Sequence, residues 1–393
     1  MFADATNGSV SGDGSIDSPL DSIQDAIDDA DTCVVAAAGT YYEALDFSGK
    51  SITVTGVDGP DSTTIDAGGY GVPAVTFVSG ESAILDGFTI TGGDGYLEET
   101  SSSYACTSIT TCTDYYDTYA GGGIYIDGAD PTIQNLIIQE NELPDASVTT
   151  SGNDVYYVYS YGGGVYVGDG TLDASNVSFM ANSADQGGGL YLDSASVVDL
   201  EGVWMMGNTA SDGGGIEVDG GELYAENMAS VWNEADSDGG GILLIDATLE
   251  AINILLGGDD APTGGGLYAS GSSSASVRNS IITESDSGEG VLVGGSSSFS
   301  GSYNNVVNNG GGNYSGISDP TGSSGNLSTT VGFTAWSDDG NITNEDISLT
   351  SSSAMIDAGD SSSAANDADG SRNDIGALGG ANSDWDDGVP GID

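Results

Sequence analysis

The stretch GGGLYLDSASVVDLEGVWMMGN, Gly187 to Asn208, decides the fold. Three glycines open it, and three short strand-like runs follow (GGGLYLD, SASVVDLEG and VWMMGN), separated by turns. The opening recurs at Gly121 (GGGIYID), Gly162 (GGGVYVG), Gly213 (GGGIEVD), Gly239 (GGGILLID) and Gly264 (GGGLYAS), with a degenerate copy at Gly288 (GEGVLVG). Successive starts lie 41, 25, 26, 26, 25 and 24 residues apart. A period in the twenties with strands and turns but no helical phase marks a solenoid. Three strands per period predict an all-β, single-stranded parallel β-helix of triangular cross-section. Ile124 and Ile126, Val165 and Val167, Leu190 and Leu192, and Ile216 and Val218 alternate so as to point inward. Roughly a dozen coils about 4.8 Å apart would make a rod about 55–60 Å long. The triple glycine supplies positive φ and close packing at a corner. It precedes a strand, not a helix, so it is not a phosphate cradle.

Asn141, Asn182 and Asn233 fall twenty residues after their glycine starts and Asn208 twenty-one after, the pattern of an amide ladder between coils. Upstream, the spacing predicts a short N-terminal capping helix over 18–30. Ser18 would cap it, Pro19 would take its first position, and Ile23 and Ile27 would share a face. Residues 1–380 then form one β-helix domain, with 330–380 as a C-terminal closing region and 381–393 as a linker or tail.

Three segments carry a family resemblance: SPLDSIQDAIDDAD (18–31), VVAAAGTYYEALDFSGKSITVTGVDGPDSTTIDAG (34–68) and ILDGFTITGG (84–93). In this order they resemble the start of secreted right-handed parallel β-helix proteins of the pectin-lyase-like superfamily. RNDIGALGG (372–380) resembles the terminal signature of that group. The GGG-strand repeats with endings such as FMAN (179–182) also resemble the polymorphic outer-membrane adhesins. The resemblance implies a right-handed coil and an extracellular or cell-surface location. It implies no single activity, since such folds carry lyases, hydrolases, adhesins and inert scaffolds.

Charge narrows the function. Sixty-one Asp and Glu face only Lys50, Arg278 and Arg372, with no histidine, for a net charge of −58. Such a surface repels nucleic acid and anionic lipid, and no stretch is apolar enough to enter a bilayer. It requires salt or bound cations, and calcium is the expected ion. Cys106 and Cys112 suit a local disulfide of an oxidising compartment, while Cys33, in CVVAAA, reads as a buried thiol. The first residues lack an export signal, and the chain reads as a mature segment or excised domain.

Two insertions, 94–120 and 143–161, break the period at the same phase of successive coils and are expected to touch as neighbouring loops. They hold Tyr96, Tyr104, Tyr115, Tyr116, Tyr119, Tyr156, Tyr157, Tyr159 and Tyr161. Tyr125, Tyr166 and Tyr191 follow at one outward position of three stacked strands. Tyrosine offers apolar area with a polar tip, suited to a glycan or a cell-surface protein. Packing of the rings on one another merely to hold the loops is the competing expectation.

Asp127, Asp193 and Asp219 fall in register after the strands, and Asp367, Asp369 and Asp374 lie in the turn NDADGSRND; both sets are candidate calcium ligands. Catalysis has little support. Related lyases pair an acidic calcium site with a basic residue, and none of the three cations adjoins the tyrosines in sequence. The leading expectation is a secreted or cell-surface, non-catalytic adhesin or binding module. A surface-layer or filament subunit that self-associates through cations comes second, and a polysaccharide-degrading enzyme third.

Overall fold

The structure, a computed structural model, describes residues 1–105, 111–337 and 346–383. It is 49% strand and 2% helix, and the chain winds as a right-handed parallel β-helix. One inward row runs from Leu45 through Val75, Ile124, Val165, Leu190, Ile216, Ile242, Leu267 and Val291 to Tyr314, each residue paired in parallel with the next. A second row runs from Ile65 through Ile90, Ile138, Phe179, Met205, Ser230, Leu256 and Ile282 to Val306. The inward residues expected after each triple glycine are fully buried. A fourth, shorter stretch leads into the glycines: Thr209–Asp212 pairs with Glu234–Asp238.

Geometry explains the triple glycine. Gly187 has φ +62°, in the left-handed region. At Gly188 a Cβ would lie 2.4 Å from the Thr209 carbonyl oxygen and 2.6 Å from that of Gly214 in the next coil, so no side chain fits. The amide ladder also forms. Asn141, Asn182 and Asn208 each donate their side-chain amide to the Oδ1 of the next member, at 3.0, 3.0 and 2.9 Å. The same Oδ1 atoms also accept the backbone amides of Asn141, Asn182 and Asn208, so each of these buried oxygens is doubly paired.

Several expectations are corrected. The helix is Ile23–Asp29, and Ser22, not Ser18, caps it by accepting from the Asp25 amide. Pro19 stays outside because Leu20 is held extended by Phe2, and Glu43 satisfies the first free amides, those of Ile23 and Gln24. Cys33 is exposed: strand alternation turns Val34 and Ala36 inward and leaves the thiol outside. The insertions are not irregular loops but two hairpins in one sheet. Tyr96–Ala105 pairs with Thr111–Ala120, and Ser147–Ser151 pairs with Asp154–Tyr161. The hairpins join by parallel pairing of Thr111–Ala120 with Asp154–Tyr161, which brings the two insertions together.

The C-terminal region lies along the flank of the rod instead of closing its end. Met355, Ile375 and Ala377 pack on outward Trp204, Met206, Val231, Leu255 and Ile281, from several successive coils. Asn227 donates to the carbonyls of Ala377 and Gly379, and Asn253 to those of Asp374 and Gly376. The reason is the apolar outer face left by VWMM and its equivalents, which needs a cover. Tyr314 and Ile317 pack against the last part of the core instead. Residues 384–393 of the expected tail lie outside the described residues.

Candidate functional site

Beside the triple glycines, the outward strand position is occupied in turn by Tyr125, Tyr166, Tyr191, Glu217, Leu243 and Tyr268. Parallel pairing in register stacks the first three rings, with centroids 5.4 and 5.7 Å apart and planes within 4°. The hairpin sheet closes over this row at both ends. Tyr96 stacks on Tyr125 at 4.7 Å, and Tyr161 sets its edge against Tyr191 at 5.0 Å. Tyr125 and Tyr191 are left only 9% and 5% exposed.

What remains open is a cleft of about 300 Å³ lined by Tyr96, Glu98, Thr118, Ala120, Tyr125, Tyr161, Tyr166, Tyr191, Asp193 and Asp219. Tyr166 donates to Asp193 at 3.4 Å and Tyr191 to Asp219 at 3.5 Å, each phenol reaching a carboxylate of the next coil. Burial raises all three ladder phenols, and neighbouring carboxylates raise them further. These hydroxyls are proton holders, not bases.

The twelve tyrosines singled out by sequence therefore divide. Tyr96, Tyr125, Tyr161, Tyr166 and Tyr191 line the cleft. Tyr115 stacks on Tyr156 at 4.8 Å and Tyr116 on Tyr157 at 4.9 Å, with Tyr159 beyond Tyr157, so these five rings hold the hairpins together. Tyr119 is half-buried opposite Leu97 and Ser160, and Tyr104 is exposed with its hydroxyl 3.5 Å from Asp114. Cys112 is disulfide-bonded, while Cys106, its expected partner, lies outside the described residues.

Asp127, Asp193 and Asp219 do come into register along the row. Burial raises the Asp127 carboxyl, with repulsion from Asp169 and Asp193 added; burial and then Asp193 do the same to Asp219. Among the described residues, no three acidic, Cys or His side chains converge as a metal-holding group. In the terminal turn the carboxylates hold backbone instead. Asp367 accepts from the Asp374 and Gly380 amides, Asp369 from Ser371, and Asp374 from the Asp357 amide.

Two residues escaped the sequence reading, although the register marks both. Glu217 occupies the tyrosine phase in GGGIEVD, is 1% exposed, and has an Oε2 without a hydrogen-bond partner. Burial raises its carboxyl well above the usual range, and Asp212, Asp219, Asp185 and Asp238 add to the shift. Asp259, twenty residues after Gly239, takes the next place in the amide ladder.

The basic residues are all committed elsewhere. Lys50 donates to the Ile27, Asp28 and Ala30 carbonyls at the helix C-terminus. Arg278 faces Asp360 at 3.7 Å, and Arg372 donates to the Ala358 and Gly359 carbonyls, which pins the C-terminal segment. No helix among the described residues is long and apolar enough to cross a membrane.

Scans of known protein families and of curated proteins find no match. Among solved structures, the chain is similar to pectin methylesterase from carrot, with TM-score 0.34, 14% identity, and coverage of 84% of this chain and 88% of that one. It is also similar to GH136 lacto-N-biosidase from Eubacterium ramulus, with TM-score 0.38, 12% identity, and coverage of 80% of this chain and 61% of that one.

Proposed function

We propose that this protein is a secreted or cell-surface β-helical binding module of adhesin type, and that it holds a glycan at the tyrosine cleft. The observation that carries this reading is the cleft itself: five phenols and three carboxylates face one opening that none of the chain's three basic residues reaches. Stacked rings give a rigid apolar wall, and the carboxylates accept hydrogen bonds from sugar hydroxyls. With histidine absent and the cations committed to structure, proton transfer would rest on carboxylates alone. Calcium belongs to this reading as a counter-ion to the acidic rows.

The test is a glycan array probed with the intact chain and with a Tyr96→Ala/Tyr161→Ala variant, with reducing-end release measured alongside. We expect binding without cleavage, weakened at least tenfold in the variant. Unchanged binding by the variant, or glycan cleavage by the intact chain, overturns the reading.

A further inference from the structure

The cleft's chemistry also narrows what part of a ligand it would hold. Every polar side-chain atom lining it is an oxygen, from the phenols, the Thr118 hydroxyl and the carboxylates of Glu98, Asp193 and Asp219. Two of the phenols have already directed their protons at the carboxylates, Tyr166 to Asp193 and Tyr191 to Asp219. Hydroxyl donors remain on Tyr96, Tyr125, Tyr161 and Thr118, but no lining side chain is cationic, so what the carboxylates lack is a positively charged donor. Three carboxylates facing one small opening also set up a negative potential, which the chain's charge of −58 reinforces.

We propose that the cleft selects an organic ammonium group, carried on the glycan as a free amino sugar. An ammonium brings three donors and one positive charge to a site of acceptors, and its apolar substituents can rest on the phenol edges. A volume of about 300 Å³ is at the small end of ligand sites and matches one sugar-sized unit rather than an enclosed oligomer. A neutral acetamido sugar would offer one N–H and no charge. A uronate would meet the carboxylates with its own.

The inference rests on the binding reading above, and calorimetric titration separates the two. A glucosamine tetrasaccharide and its fully N-acetylated counterpart share backbone and length and differ in charge. We expect the amine form to bind at least tenfold tighter. The advantage should collapse in about 1 M NaCl, where screening acts within a few ångströms, and in an Asp193→Asn/Asp219→Asn variant that keeps shape and removes charge. Equal or tighter binding of the acetylated form overturns the ammonium inference and leaves the glycan reading standing. Failure of both, with other glycans captured on the array, does the same. Failure of both on a silent array overturns inference and reading together.

Discussion

Asn233 donates its backbone amide at 3.0 Å and its side-chain amide at 2.8 Å to a single oxygen of Asp259, whose other oxygen has no partner. A carboxylic acid thus stands where the ladder otherwise carries an amide. Burial pushes its carboxyl up to about 7, against the pull of the Asn233 donations. In the unfolded chain it titrates near 3.9, so between those values the folded state binds the extra proton. Stability from this group is complete below about pH 4, falls as pH rises towards 7, and is flat beyond. Asp259→Asn should leave the melt near pH 4 almost unchanged and stabilise at pH 8 by about 1–3 kcal/mol. An equal gain at both values would disprove the assignment.

Tyr166 is the middle ring of the stack and donates to Asp193. Tyr166→Phe retains the stack between Tyr125 and Tyr191 and loses only the donation to Asp193, so it should cost about 1 kcal/mol or less. Tyr166→Ala removes the middle ring and should cost about 3 kcal/mol. Chemical denaturation ranks the two; equal losses would mean that the hydroxyl, not the stack, stabilises this corner.

The C-terminal segment should behave as part of the folded unit. Ile375 is fully buried against the outer face of the rod, and Ile375→Ala should destabilise by about 2–4 kcal/mol. It should also raise binding of an apolar dye as Trp204, Met206 and Val231 lose their cover. A neutral outcome in both assays would show that the flank is stable uncovered.

The acidic rows predict a general response to ions. Burial and neighbouring carboxylates disfavour the ionised forms of Asp127 and Asp219, so the rows repel along the rod. Sodium chloride should therefore raise the melting temperature, and calcium, the proposed counter-ion, should raise it further at matched ionic strength. No extra rise with calcium would leave general screening as the whole effect.

Local periodicity carried much of the architecture. Alternation after each triple glycine determined which residues face inward, and constant spacing placed the tyrosines and the amide ladder in rows. Both follow because a parallel coil repeats each residue's environment in the next coil. Register alone also marks Glu217 and Asp259, since each sits at a phase already assigned to another residue type.

Tertiary structure decided what those rows face. The polar alternation of TCTDYYDTYA, residues 111–120, buries no strong apolar face, so its sheet becomes visible only when Asp154–Tyr161 lies beside it. The division of the tyrosines into cleft walls and hairpin packing depends on that pairing. Trp204 and Met206 lie on an outer apolar stripe, and the residues that cover it, Met355, Ile375 and Ala377, come far later in the chain. Periodicity is a property of neighbouring residues and survives in the sequence. The choice of a partner for an exposed face depends on burial between distant segments, which no local pattern encodes.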